Sequence, residues 1–135
     1  RSFIDPSLWS PLSVATLSTH DSETLAGWWE AAPDDRLVLA HTLGFEGEVP
    51  ARLPEAIERA IVRWLRRTPS RFVVLAMQDL LSPLGLLPGE PSDHRVNVPG
   101  VVDGVNWTWR CPMNIENLSD VDRVKAMRSL LASES

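Results

Sequence analysis

His20 and Asp21 are the adjacent residues of this chain best suited to do chemistry. They follow residues 12–19, an apolar run that predicts a buried strand, and they precede residues 22–31, which predict a helix. In α/β sheets, ligands and reactions gather at the carboxyl ends of the strands. The pair is therefore a candidate site. An aspartate or serine ahead of a helix is also a common N-cap, so Asp21 and Ser22 are both candidates for that structural role.

A second group of polar and aromatic residues lies in 80–110, where prolines interrupt any helix or strand pattern. A connection this long is usually functional or disordered, and its tryptophans and asparagines favour an ordered, functional loop. Tryptophan rings offer a large apolar face and a polar edge. Trp107 and Trp109 alternate on a segment predicted to be extended, so that one faces a cleft and the other the core.

Four blocks follow one another along the chain: residues 18–29 (STHDSETLAGWW), 78–81 (QDLL), 97–100 (NVPG) and 106–110 (NWTWR). Together they resemble the 4-α-glucanotransferases, which are the amylomaltases and disproportionating enzymes of glycoside hydrolase family 77. The resemblance covers roughly residues 10 to 112. Two positions depart from the family pattern. Val101 stands where threonine usually follows the Pro-Gly pair, and Thr108 stands where arginine is common.

The resemblance implies a retaining transfer of glucan segments, with maltooligosaccharides or other α-glucans as substrates and no cofactor. Such chemistry needs a carboxylate nucleophile and an acid/base carboxyl about 5 Å apart. The family carries both before the His-Asp block. The resemblance implies that Asp21 is a third carboxylate, which binds sugar hydroxyls and stabilises the cationic ring. It also implies that His20 hydrogen-bonds the same sugar. Carboxylates accept two strong hydrogen bonds and a neutral imidazole donates one. The implied substrate contacts are Asn97, Pro99, Asn106 and Trp107.

The order of strand 12–19, helices and strand 72–77 is the alternation of a β/α barrel. The resemblance implies the C-terminal part of a (β/α)8 TIM barrel, helix-rich and with two parallel strands. Residues 12–79 would form the last β/α units, 80–112 the active-site loop region and 119–132 the terminal helix. Family members are much longer, so we expect the chain to be inactive alone and to need the remainder of its own barrel as a partner.

Several local predictions accompany this architecture. Residues 1–11 predict a loop, 34–43 a helix closed by Gly44, 54–67 a second helix, and 119–131 a third. Ile57, Ile61, Val62 and Leu65 form the apolar face of the helix 54–67. Gln78 and Asp79 are predicted to end the second strand and to make structural hydrogen bonds beside the cleft. Ser119 is predicted to cap the last helix. Trp28, Trp29 and Trp64 are interpreted as packing residues, and Asn97 fits a turn-shaping role as well as a sugar contact.

Composition and charge exclude some classes of partner. The net charge of −5 and the pI of about 5.1 argue against a nucleic-acid partner. No apolar run approaches the ~20 residues that span a bilayer, which argues against a membrane partner. A single cysteine, Cys111, is interpreted as a packing residue and suits a reducing cytoplasm, or a plastid in a plant or alga. The three histidines have no metal-ligand spacing, and His41 and His94 have no catalytic context.

Two other functions remain open from the residues. One is a non-catalytic glucan-binding or interaction module that reuses barrel units. The other is an α-glucan hydrolase of the same superfamily. A shared fold does not separate these from a transferase.

Overall fold

The described residues form short helices joined by turns and one two-stranded sheet. The computed structural model describes residues 2–102 and 104–132. Within these ranges the strands are β1 (Val14–Ala15) and β2 (Phe72–Val73), and the helices are α1 (Leu25–Ala31), α2 (Pro33–Thr42), α3 (Glu55–Leu65), α4 (Met77–Leu81), α5 (Ile115–Leu118) and α6 (Val121–Leu131). Three 3₁₀ helices cover Pro6–Leu8, Ser82–Leu84 and Pro91–His94. The predicted order of strand, helices and strand is confirmed.

β1 and β2 run parallel, as the sequence predicts. Val14 lies opposite Phe72, and Ala15 lies opposite Val73. A backbone hydrogen bond of 2.9 Å from Val74 N to Ala15 O continues the ladder past the paired residues. Because the strands are parallel, their carboxyl ends lie at the same edge of the sheet. The segments that leave this edge, towards α1 and towards α4, therefore start side by side.

Both strands are shorter and more exposed than the sequence predicts. Buried strands are expected over 12–19 and 72–77, but each ladder holds only two residues. Ala15 is buried, whereas the neighbouring side chains of Val14 and Phe72 are 61% and 59% exposed. Strands of a parallel sheet are normally covered on both faces. In the part of the chain that the structure describes, the face with Val14 and Phe72 lies open, and on the other face Ala15 is buried while its partner Val73 is 36% exposed.

The main hydrophobic core forms where α1, α2 and α3 meet. Its buried members are Leu25, Trp29, Leu39, Ala40, Ile57 and Ile61. The predicted apolar face of α3 is confirmed, since Ile57, Ile61, Val62 and Leu65 are all buried. Trp29 is fully buried and its indole N–H donates to the Pro50 carbonyl over 3.0 Å, while Trp28 and Trp64 pack against the same core. The packing interpretation of these three tryptophans is confirmed.

The apolar run before Gln78 and Asp79 predicted that these residues end a strand, and this prediction is wrong. They lie in the first turn of α4, and Leu80 N donates to Ala76 O over 3.1 Å. A continuous apolar run does not distinguish a buried strand from a short helix. Met, Gln and Leu favour helices, and this preference ends the extended backbone before Met77.

The cap of α1 also differs from the prediction. Neither Asp21 nor Ser22 caps this helix. Thr24 is the N-cap, and its hydroxyl accepts a hydrogen bond of 3.1 Å from Gly27 N. Asp21 is therefore not needed to start the helix, and its carboxylate is available for other contacts.

The remaining boundaries shift by small amounts or gain short helical turns. Pro6–Leu8 interrupts the predicted loop 1–11, and the predicted loop 80–110 contains Ser82–Leu84 and Pro91–His94. Asp120, rather than Ser119, caps α6 by accepting from Asp122 N and Arg123 N. Ser119 instead follows the separate short helix α5. Local side-chain to backbone bonds decide these boundaries, and hydrophobic periodicity does not reveal them.

Candidate active site at the His20–Asp21 turn

His20 and Asp21 occupy a tight turn between β1 and α1. Ser22 closes the turn, because its N–H donates to the Thr19 carbonyl over 3.2 Å and its hydroxyl accepts from Thr19 N over 2.9 Å. This geometry turns both ionisable side chains outward. His20 Nε2 lies 3.4 Å from Asp21 Oδ2, and both side chains are more than half exposed. The pair forms one polar edge that a ligand can reach.

Residues 95–97 return to this turn and orient it. Asn97 Nδ2 donates to Asp21 Oδ1 over 2.7 Å. Arg95 forms an ion pair with Glu23, and its Nη2 donates to the backbone carbonyl of Asp21 over 3.4 Å. Arg95 Nε also donates to Asn97 O over 2.9 Å. Arg95 therefore ties the turn to the residue that orients its carboxylate.

Trp107 forms an aromatic wall beside His20. The two ring centroids are 5.1 Å apart with planes tilted by 39°, and the indole is 64% exposed. Trp107 has a φ of +66°, and its N–H donates to Val96 O over 2.8 Å. A left-handed backbone is unfavourable for a bulky residue by about 1–2 kcal/mol, so the turn around Trp107 is held by its surroundings. The extended segment predicted for Trp107 and Trp109 is therefore wrong.

Trp109 is half-buried and packs on His94. Its indole N–H donates to His94 Nδ1 over 3.2 Å, and the rings meet nearly edge to face. His94 Nε2 lies 2.8 Å from Pro88 O, and Gln78 Nε2 donates to the His94 carbonyl over 3.2 Å. The structural hydrogen-bonding role predicted for Gln78 is confirmed. His94, which has no distinguishing sequence context, joins α4 to the loop that carries Trp107.

Asn106 and Pro99 shape the loop between Asn97 and Trp107. Asn106 Oδ1 accepts from Val98 N over 3.0 Å, and its Nδ2 donates to Val101 O over 2.8 Å. Pro99 is exposed at the start of a turn that continues through Gly100. Of the four implied substrate contacts, Asn97 and Trp107 touch the His20–Asp21 turn, while Asn106 bonds the loop backbone.

Two connections of this site were not predicted from the sequence. The ion pair between Arg95 and Glu23 joins residues 72 positions apart, and the contacts of His94 join α4 to the loop. Arginines, glutamates and histidines are common in polar loops, and no spacing marks such long-range pairs. Only the tertiary fold reveals them.

Two small cavities lie behind the turn. One of about 190 Å³ borders His20 and Arg95, and one of about 220 Å³ is lined by Glu58 and Asp79. Gln78 lines both cavities. Asp79 is 1% exposed, and burial raises the pKa of its carboxyl against the lowering effect of its hydrogen bonds with Ser18 and Leu25. The larger of these two cavities therefore carries two carboxyl groups.

Glu58 is the more strongly perturbed of these two carboxyls. It is 4% exposed, and among the described residues its Oε1 has no hydrogen-bond partner. Burial raises the pKa of Glu58 from the usual 4.5 to about 7, with the negative charge of Asp79 adding to the effect and a hydrogen bond with Ser82 opposing it. Glu58 is consequently partly protonated near neutral pH.

We expect Glu58→Gln to stabilise the protein at alkaline pH. The pKa of Glu58 is raised in the folded state, so protonation of Glu58 stabilises the fold. This stabilisation is complete below about pH 4.5 and is lost as the pH rises through 7. Glutamine resembles the protonated form at every pH. Melting curves of the complete protein should be recorded from pH 5 to pH 8.5. At the alkaline end, the free energy of unfolding of the variant should exceed that of the unmodified protein by up to about 3 kcal/mol.

Glu55→Gln is the matched control, because Glu55 lies on the same helix but its side chain is 60% exposed. Its melting profile should follow that of the unmodified protein. If the Glu58→Gln profile also runs parallel to the unmodified protein, the assignment of the raised pKa to Glu58 is wrong.

Among residues 2–102 and 104–132, no group of three or more His, Cys, Asp and Glu side chains could hold a metal ion. No helix in the same ranges is long and apolar enough to cross a membrane.

Comparison with known proteins assigns the chain to a family. Residues 1–115 match the family described as 4-alpha-glucanotransferase. The 4-alpha-glucanotransferase of Chlamydia trachomatis serovar D is 33% identical over 124 residues, which cover 91% of this chain and 23% of that relative. The chloroplastic/amyloplastic 4-alpha-glucanotransferase of Solanum tuberosum is 31% identical over 124 residues, covering 89% of this chain and 19% of the relative.

A solved structure shows the same relationship. The amylomaltase from Streptococcus agalactiae in complex with acarbose superimposes with a TM-score of 0.65 and 26% identity, covering 96% of this chain and 24% of that one. The chain thus spans less than a quarter of the length of these three proteins. Since the family match takes in most of its residues, this chain belongs to the 4-alpha-glucanotransferase family and matches a partial region of these relatives.

Proposed function

We propose that this chain supplies the His-Asp side of the active site of an enzyme that transfers segments of α-1,4-glucan between maltooligosaccharides. The observation that carries the proposal is the Asp21 carboxylate, which is exposed, oriented by Asn97 and adjacent to His20. It lies in a chain of the 4-alpha-glucanotransferase family. Acarbose bound to the amylomaltase that shares this fold supports a glucan-like ligand.

Each side chain has a proposed role in binding the reacting sugar. Asn97 occupies Asp21 Oδ1, and the exposed carboxylate accepts hydrogen bonds from two neighbouring sugar hydroxyls. His20 hydrogen-bonds the same sugar, with Asp21 Oδ2 near its Nε2. The indole of Trp107 offers an apolar face to a sugar ring. As positive charge develops on the ring in the transition state, the Asp21 carboxylate stabilises it more than it stabilises the bound substrate.

The other reacting groups are proposed to come from outside this chain. A retaining double displacement needs a nucleophile and an acid/base carboxyl, and no residue here matches those of the family. We propose that the chain completes the C-terminal part of a (β/α)8 barrel. Residues 12–79 would be its last β/α units, 80–112 its active-site loop region and 119–132 its terminal helix. The parallel pairing of β1 and β2, with their open face, supports this arrangement.

Incubation of the complete enzyme with maltotriose tests the proposed activity. Transfer should yield glucose together with maltooligosaccharides longer than the substrate, while the number of reducing ends stays constant. Chromatography of the products and a reducing-end assay measure the two quantities. A rise in reducing ends that matches product formation would instead identify a hydrolase, and unchanged maltotriose would indicate a binding module.

A further inference from the structure

One buried carboxylate holds both ends of the segment that carries His20 and Asp21. Asp79 Oδ1 accepts a hydrogen bond of 2.9 Å from Leu25 N, and Asp79 Oδ2 accepts from the Ser18 hydroxyl. Ser18 lies before the turn and Leu25 begins α1 after it. Both groups are buried together with Asp79, so water does not compete for these bonds.

Fixing both ends of a short loop removes most of its conformational freedom. The segment between Ser18 and Leu25 has few other ways to adjust, because Ser22 closes its turn from within. Asp79 lies on α4, which follows β2, whereas Ser18 and Leu25 follow β1. The two hydrogen bonds of Asp79 therefore join the segments that leave the two strands. A displacement of about 1 Å in a catalytic group can lower a rate about 100-fold, so this restraint matters for chemistry.

We propose that Asp79 is a positioning residue of the His20–Asp21 turn, acting through its simultaneous hydrogen bonds with Ser18 and Leu25. Its effect on rate rests on the proposed transferase function, whereas its effect on the turn does not. Asp79 itself does not touch the sugar in this proposal. It sets where the His20 and Asp21 side chains meet the sugar.

Three variants of the complete enzyme separate the hydrogen bonds from simple burial. Asp79→Leu keeps the number of side-chain heavy atoms and their branching at Cγ, and it removes both bonds. Asp79→Asn keeps an oxygen that accepts from Leu25 N and an amide that donates to the Ser18 hydroxyl. Leu130→Ala is the control: Leu130 is fully buried on α6, which packs against α3, so the variant is destabilised without touching the turn.

Steady-state kinetics with maltotriose should show the largest loss in kcat. We expect Asp79→Leu to lower kcat about 100-fold with a much smaller change in KM, and Asp79→Asn to stay within about tenfold of the unmodified enzyme. Leu130→Ala should keep its kcat below its melting temperature. An Asp79→Leu loss no larger than that of Leu130→Ala, or an Asp79→Asn loss as large as that of Asp79→Leu, would overturn the proposal.

Amide hydrogen exchange of the same variants gives a readout that needs no activity. In Asp79→Leu, peptides covering residues 18–25 should exchange at least about tenfold faster, while α6 peptides keep their rate. Unchanged exchange over 18–25 would refute the positioning role even if kcat falls. If the unmodified enzyme transfers no glucan, the proposed function fails, and the exchange result still decides the role of Asp79.

Discussion

Asp21→Asn in the complete enzyme is expected to lower kcat by about three orders of magnitude while the fold stays intact. Asparagine has the size of aspartate and retains an oxygen that accepts from Asn97 Nδ2. It lacks the negative charge that faces the cationic sugar in the transition state. Loss of one preorganised contact lowers rates by about 100- to 1,000-fold, and each factor of ten is about 1.4 kcal/mol. Steady-state kinetics and a melting curve measure the two parts of this prediction.

The melting temperature is informative because Thr24, not Asp21, caps α1. Asp21→Asn should therefore leave stability almost unchanged. Asp34→Asn, in the exposed first turn of α2, is the matched control and should keep its full kcat. If Asp21→Asn retains a near-normal rate, Asp21 shapes the turn and does not stabilise the transition state.

The second large effect concerns the 135-residue chain by itself, which is expected to be inactive and to associate. Val14 and Phe72 expose most of their side chains on one face of the sheet, and Val74 beside them is 54% exposed. Exposed apolar surface is unfavourable by about 25 cal/mol per Å², and the open strand edges can pair with other chains. Light scattering should show oligomers, and a hydrophobic dye should bind strongly.

Adding the rest of the enzyme as a separate polypeptide should suppress dye binding and restore glucan transfer. This complementation distinguishes specific binding of the added polypeptide to the open face from nonspecific hydrophobic association. A monomer with a cooperative melt, no dye binding and no response to the added polypeptide would show that these residues form a self-sufficient domain.

The sequence predicts those parts of the fold that depend on local pattern. The apolar face of α3 repeats with helical spacing, and Ile57, Ile61 and Leu65 are buried as expected. The His20–Asp21 pair could be identified as a candidate site because it follows a strand pattern. The parallel direction of β1 and β2 followed from the alternation of strands and helices.

Other features depend on competition between local bonds or on contacts made across the fold. Apolar residues 72–77 suit both strand and helix, so the start of α4 at Met77 could not be placed. Asp120 and Ser119 are equally good caps by composition, and only the backbone geometry selects Asp120. The bonds from Asp79 to Ser18 and Leu25 join positions with no shared sequence signal. Long-range pairing of this kind leaves no local pattern in the sequence.

The contacts between the His20–Asp21 turn and residues 95–97 have a consequence for how the protein folds during synthesis. The Asn97–Asp21 bond joins residues 76 positions apart, and the Arg95–Glu23 pair joins residues 72 apart. Contacts of such high sequence separation form slowly, because a long loop must close first. The turn therefore leaves the ribosome about 4 to 15 seconds before the residues that orient it, at about 5–20 residues per second. Until residues 95–97 emerge, the Asp21 and Glu23 side chains are solvated and lack the partners that orient them in the folded protein.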